Sequence, residues 1–394
     1  MKYDRSFFDT PVDRMGTNCE KWDALRRREG SDLLPMWVAD MDFRCADEIV
    51  QALTARVAHP VYGYTFHGEG LLNAITSWVG RRYHWNIEKE WVEFSPGVVP
   101  ALVMSILAYT NPGDRVLIMT PVYRPFYNSV RENGRVVVNY QLEKDENNYY
   151  TIDFDRLESQ IDKRTKMIMM CNPHNPAGRV WTREELLKLA DIAKRHDLIV
   201  VSDEIHADFI YSGHQHISIA SLSEDMANRT ITAYAPSKTF NLAGLCQSYV
   251  VIPNPRLRDA YMAVYDGLDL GSNVFGMTAL TAAYNEAEDW LDQLLVYLEA
   301  NRDYAVNYIR ENIPEIKVCS PEGTYLLWLD CAGLGLKNED LNQFFLKEAK
   351  LRMNMGYRFG EQADTFMRLN IGCPRKLLEE GLARIEKAIK NRAN

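Results

Sequence analysis

Six short apolar runs constrain the fold more than anything else in the chain: RVLIMT (115–120), RVVVNY (135–140), KMIMMCNP (166–173), LIVVSDE (198–204), TITAY (230–234) and QSYVVIP (247–253). Each has the length of a strand and is nearly continuous in its apolarity instead of alternating. Strands buried on both faces read this way, because helices laid over a parallel sheet leave neither face to water. The segments between the runs carry helical signals. In TREELLKLADIAKRHD (182–197) Thr182 is a candidate cap, Glu184 and Glu185 fall in the first turn, and Lys, Arg and His close the last one. Strand alternating with helix predicts an α/β domain with a mainly parallel sheet.

From about Glu286 the texture changes to amphipathic helix (EAEDWLDQLLVYLEANRDYAVNYIRENI), then a β-rich piece, GTYLLWLD (323–330), then more helix. A second, smaller α+β domain is expected there. The 394 residues exceed one compact core of ordinary size. The expected division is a large domain over 46–285 and a small domain formed by 1–45 with 286–394.

Charge and composition exclude several function classes. Lys and Arg number 45 against 54 Asp and Glu, a net charge of −9, so no global basic field is present for nucleic acid. No stretch approaches the ~20 apolar residues of a membrane span, and the opening MKYDRSFFDTPVDR has no apolar core of a secretory signal. A cytoplasmic location is expected. The seven cysteines are scattered without CxxC spacing, which points to reduced thiols, and the eight histidines form no HExxH or Cys/His cluster, so no metal is expected.

Four features fall at predicted strand ends, the place where open α/β sheets bind ligands. SPGVVPAL (95–102) sets Gly97 before a helix whose first N–H groups can hold an anion. NPHNPAG (172–178) forces an ordered turn and offers the amide of Asn175. SDEIHADF (202–209) ends a buried run with Asp203, which is either a helix cap or faces a ligand, and with His206, which is either a core histidine or a ligand contact. APSKTFNLAG (235–244) places Lys238 among small residues, where low polarity favours a neutral, nucleophilic amine. Each has an ordinary structural explanation by itself. The ordered set at 97, 175, 203 and 238 does not.

That set resembles the fold-type I pyridoxal 5′-phosphate enzymes of the aspartate-aminotransferase superfamily. Within it the chain is most similar to the MalY/PatB-type cystathionine β-lyases, also described as C–S lyases. The resemblance spans nearly the whole chain and is carried by LPMWVADMDF (34–43), YGYT (62–65), SPGVVPAL, TPVYRPF (120–126), CNPHNPAGRVW (171–181), SDEIHADF, APSKTFNLAG and FMRLNIGCPR (366–375). It implies a large domain with a mainly parallel seven-stranded sheet between helices, plus a smaller α+β domain. It further implies that Lys238 bonds covalently to the cofactor, that Asp203 faces the pyridine nitrogen, and that Tyr123 stacks on the ring. Asn175 and Arg368 are implied to bind substrate, Asn175 also touching the cofactor together with His206. Gly97, Val98, Val99 and Ser237 are implied to hold the phosphate, with Tyr64 reaching across from a second subunit of a homodimer that shares its active sites.

The chain departs from the wider superfamily at two positions. Cys246 stands where many relatives carry an arginine for the phosphate, and His206 stands where aminotransferases generally carry a tyrosine. The second departure favours a lyase. The implied reaction is α,β-elimination on L-cystathionine or a related cysteine S-conjugate, giving a thiol (homocysteine from cystathionine), pyruvate and ammonia. Two alternatives remain open at this stage: an aminotransferase, and a regulatory binding protein with incidental lyase activity.

Overall fold

The computed structural model describes residues 2–30 and 32–393. Seven strands form its main sheet: β1 (Val92–Ser95), β2 (Arg115–Thr120), β3 (Val136–Gln141), β4 (Thr165–Cys171), β5 (Ile199–Asp203), β6 (Thr230–Tyr234) and β7 (Ser248–Val251). Their order across the sheet is β1-β7-β6-β5-β4-β2-β3. β6, β5, β4, β2 and β3 pair in parallel, whereas β7 runs antiparallel to both β1 and β6. The six apolar runs all become strands of this sheet. The seventh strand, VEFS, carries Glu93 within four residues, so no apolar run marks it.

Burial explains the continuous apolarity. Every residue of β6 and β7, and all of β2 but Arg115, is buried. One face packs Leu102, Ile106 and Tyr261 against Ile118, Val201 and Val250. Side chains of this size stabilise the fold by about 1.5–3 kcal/mol each on full burial. The helices used below are α1 (Asp47–Ala58), α2 (Glu69–Tyr83), α3 (Val98–Tyr109), α4 (Pro125–Arg131), α5 (Arg183–Arg195), α6 (Pro236–Thr239), α7 (Val274–Glu286), α8 (Glu288–Asn312) and α9 (Arg375–Ala393). At the start of α5, Thr182 accepts from the Glu185 N–H while the Glu185 carboxylate accepts from the Thr182 N–H, a reciprocal capping box. The segment read as one long helix from Glu286 is the single helix α8, separated from α7 at Ala287, whose backbone leaves the helical region (φ −109°, ψ 18°).

A second sheet follows, of β8 (Lys317–Val318), β9 (Leu326–Asp330), β10 (Asn354–Met355) and β11 (Phe366–Asn370), in the order β8-β9-β11-β10. The N-terminal segment reaches this part of the chain: Leu34–Pro35 pairs in parallel with Leu351–Arg352, and the Asn370 N–H donates to the Met36 carbonyl at 3.0 Å. Among the described residues no helix is long and apolar enough to cross a membrane, and no group of three or more His, Cys, Asp or Glu is placed to hold a metal ion.

Candidate active site

Strand direction assembles the site. Gly97 follows β1, Tyr123 follows β2, Asn175 follows β4, Asp203 ends β5, and Ser237 and Lys238 lie on α6 directly after β6. These are the carboxyl ends of parallel strands, so residues spread over 140 positions meet along one edge of the sheet. A cavity of about 400 Å³ opens there. Of the sequence-predicted residues, Gly97, Val98, Val99, Tyr123, Asn175, Asp203, His206, Ser237, Lys238, Cys246 and Arg368 all line it. Tyr64 does not; it is fully exposed, with Tyr62 and Phe66 also exposed beside it.

Lys238 is half-buried, and its Nζ donates to the Ala39 carbonyl at 2.6 Å. Burial pulls its pKa down to about 8, and the Arg368 charge lowers it further, against the carboxylates of Asp40 and Asp203, which raise it. Asp203 shows the converse. Loss of water pushes its carboxyl up to about 7, opposed by a hydrogen bond from the Ile205 N–H at 3.1 Å and by the Lys238 charge. His206 is buried at the cavity wall and stays neutral, its pKa lowered to about 3 by burial and then by the Lys238 and Arg368 charges.

Arg368 enters from β11 and is buried. Its Nη1 donates to Asn175 Oδ1 at 3.0 Å, and its Nη2 donates to Asn354 Oδ1 at 2.7 Å and to the Trp37 carbonyl at 3.2 Å. All three acceptors are neutral. Among the described residues no carboxylate lies within ion-pair distance of this guanidinium, whereas Arg179, equally deep, pairs with Glu185 and Glu322. Its Nε is buried without a partner, as is Nδ1 of His206. Unpaired buried polar atoms cost free energy unless a ligand satisfies them. A cavity that holds a cation without its anion and an amine near neutrality is built to take an anionic, carbonyl-bearing or amine-bearing ligand.

The sequence profile of the family described as Aminotransferase class I and II matches residues 39–385. The chain belongs to this family. Similar class I and II family relatives include cystathionine beta-lyase PatB of Bacillus subtilis, 43% identical over 97% of this chain and 99% of PatB. Protein MalY of Escherichia coli is 36% identical over 97% of this chain and 98% of MalY. Cystalysin from Treponema denticola, whose crystal structure contains a pyridoxal 5′-phosphate cofactor, superposes with a TM-score of 0.95 at 36% identity, covering 100% of both chains.

Sequence reasoning missed the residues that roof the site of this family member. Trp37, Val38 and Ala39 line the cavity, and long-range contacts pin segment 37–42. Asn370 Nδ2 donates to the Val38 and Asp40 carbonyls at 2.6 and 2.7 Å, and the Tyr325 hydroxyl donates to the Ala39 carbonyl at 3.0 Å. Asn241 both donates to the Met41 carbonyl at 2.7 Å and accepts from the Met41 N–H at 3.0 Å. Asp42 is buried, which alone would raise its pKa, but Lys21 at 2.6 Å, Trp22 and Arg14 hold it below the usual carboxylate range. The motifs WVADMDF, KTFNLAG and RLNIGCPR contain segment 37–42, Asn241 and Asn370. Nothing in a single sequence says that they meet.

Proposed function

We propose that the chain is a pyridoxal 5′-phosphate-dependent carbon–sulfur β-lyase, acting on L-cystathionine or related cysteine S-conjugates. The observation that carries the reading is Arg368, a buried guanidinium with only neutral partners, facing the same cavity as an amine whose pKa is near 8. The likeness to PatB, MalY and cystalysin supports the choice of reaction.

The residues present fit the cofactor. The first turn of α3 leaves the N–H groups of Val98 and Val99 free at the cavity, and with the Ser237 hydroxyl they form a cradle for a phosphate. Asp203 has a single backbone partner, so its remaining lone pairs are free for a protonated ring nitrogen. The Asn175 oxygen is taken by Arg368, which leaves its amide N–H₂ to donate to a cofactor or substrate oxygen. Tyr123 offers a ring face at the cavity wall.

Bound there, pyridoxal 5′-phosphate supplies an aldehyde carbon for the substrate amine and a ring that holds electron density released from Cα. Lys238 anchors the cofactor between turnovers, and its freed amine then removes the Cα proton. A pKa near 8 leaves a usable neutral fraction at pH 7. Asp203 keeps the ring nitrogen protonated, and Arg368 fixes the α-carboxylate with a two-pronged grip. The C–S bond then breaks, the sulfur departs as thiolate, and addition of water to the remaining fragment yields pyruvate and ammonia. His206, with no hydroxyl to offer, stands where transaminases generally place a tyrosine.

The protein acts as a cytoplasmic homodimer, with the exposed Tyr64 of each subunit completing the phosphate site of the other. Product analysis tests the reaction. L-cystathionine should give homocysteine, pyruvate and ammonia without an added keto acid. Turnover only with a keto-acid acceptor would reassign the chain to the transaminases.

A further inference from the structure

Arg368 on β11 and Asn354 on β10 face each other directly across the antiparallel ladder. β10 is an edge strand of its sheet, and Asn354 is half-buried at the wall of the main cavity. A guanidinium has five N–H protons, and it holds a carboxylate with two parallel hydrogen bonds along one of two edges, Nε with Nη2 or Nη1 with Nη2. Nη2 belongs to both edges.

On Arg368 both Nη2 protons are engaged, one by the Trp37 carbonyl at 3.2 Å and one by Asn354 Oδ1 at 2.7 Å. Nη1 gives one proton to Asn175 Oδ1 at 3.0 Å, and the buried Nε gives none. The two free protons, on Nε and Nη1, therefore lie on opposite edges. A carboxylate gains a two-pronged grip only when one acceptor leaves Nη2.

The two acceptors differ in how firmly they are fixed. The Trp37 carbonyl belongs to backbone that is tied down on both sides. The Met36 carbonyl accepts from the Asn370 N–H at 3.0 Å, the Val38 carbonyl accepts from Asn370 Nδ2 at 2.6 Å, and the Trp37 indole donates to the Lys21 carbonyl at 3.2 Å. Asn354 offers a side chain held by its one hydrogen bond to Arg368, and its amide N–H₂ has no acceptor among the described residues. Rotation of that side chain frees Nη2 without moving the backbone. An amide oxygen is also the neutral counterpart of a carboxylate oxygen, so it satisfies a guanidinium proton yet binds it less tightly than a charged ligand does.

We propose that Asn354 is a placeholder for the substrate α-carboxylate: it keeps Nη2 of Arg368 paired and oriented in the empty site, then yields that proton to the incoming carboxylate. Asn354 is thus a positioning residue that sets substrate affinity through Arg368. This rests on the lyase reading above, in which Arg368 grips the carboxylate, and names the residue that the grip displaces.

The test titrates the cofactor-loaded protein with L-alanine, which carries amine and carboxylate but no leaving group, and with ethylamine, the same molecule without the carboxylate, following the cofactor absorbance band. Asn354→Asp puts a charged acceptor on Nη2, so L-alanine should bind on the order of tenfold more weakly. Asn354→Ala leaves that proton unpaired and the space beside it open, so L-alanine should bind about threefold more tightly. Ethylamine should bind both variants as it binds wild type, which a general disturbance of the site would not allow. With S-ethyl-L-cysteine as substrate, the same changes should appear in KM with kcat held. An alanine variant that binds L-alanine no better than wild type, an aspartate variant that binds it no worse, or variants that shift ethylamine equally would overturn the placeholder role while the lyase reading stands. A wild type that binds L-alanine no better than ethylamine would instead remove Arg368 as the carboxylate grip, and this inference with it.

Discussion

The Lys238 ammonium and the Tyr325 hydroxyl donate to the same acceptor, the carbonyl of Ala39, at 2.6 and 3.0 Å. The arrangement leaves the lysine a neutral partner where a surface lysine would find water, and burial does the rest, bringing its pKa to about 8. Capture of pyridoxal 5′-phosphate by the cofactor-free protein requires the unprotonated amine. Its rate should therefore rise with pH to a midpoint near 8, far below the ordinary lysine value. Arg368→Met removes a positive charge that favours the neutral amine, so the midpoint should move up. Stopped-flow absorbance across pH reads both, and a midpoint unchanged by the substitution would contradict the coupling.

Asp203 carries the opposite signature in the cofactor-free protein. Its folded pKa, about 7, lies above the value near 4 that an unfolded chain gives it. The folded state thus holds an extra proton between those values, and the stability this contributes is fully present below pH 4 and lost as pH rises through 7. The span corresponds to about 4 kcal/mol. Asp203→Asn cannot ionise, so its stability relative to wild type should climb across that window. Urea unfolding at a series of pH values measures the difference, and parallel curves would reject it.

The division between what the sequence discloses and what it hides follows from range. Strands on both-face-buried positions are legible because apolar runs are local, and the residues at their ends, Asn175, Asp203 and Lys238, inherit a place at one sheet edge from strand direction alone. VEFS escapes because a four-residue strand with a charge in it has no run to detect. The roof escapes for a different reason. Asn241 and Asn370 grip segment 37–42 across 200 and more positions, a juxtaposition that only the packed chain creates.

Cys246 occupies a backbone conformation of positive φ (48°) at the cavity wall, exposed and without a charged partner. A phosphate held by N–H groups and hydroxyls lacks a formal counter-charge there. Cys246→Arg should slow cofactor release on the order of tenfold, the effect of one charge-assisted hydrogen bond, with the gain shrinking at high salt. Dialysis followed by residual absorbance reports it; a release rate equal to wild type would show that the side chain at 246 does not face the phosphate.

Gly276, on α7, abuts the same loop. A Cβ there would sit 2.7 Å from the Leu245 carbonyl and 2.8 Å from Gln247 Cβ, and Gln247 lines the cavity. Asn273, which caps α7, adds a hydrogen bond to that carbonyl at 2.7 Å, so the loop has little freedom to retreat. Gly276→Ala should destabilise the fold by about 1–3 kcal/mol and weaken cofactor binding. Thermal melts with and without cofactor separate the two effects, and a melting temperature equal to wild type would mean the loop yields at no cost.

Tyr64 is fully exposed, next to exposed Tyr62 and Phe66 and close in sequence to exposed Val57 and Val61. An apolar strip of this kind marks a protein contact, and a tyrosine at its centre that lines no cavity of its own chain is suited to reach another. If Tyr64 completes a neighbour's site, then Tyr64→Ala and Lys238→Ala variants, each inactive as a pure homodimer, should regain activity when unfolded and refolded together. The mixed dimer holds one site with both native residues and one with neither. Activity of the co-refolded mixture against the separately refolded proteins is the measurement. Recovery requires both a dimer and a shared site; a mixture as inactive as its parts would place Tyr64 outside the catalytic centre.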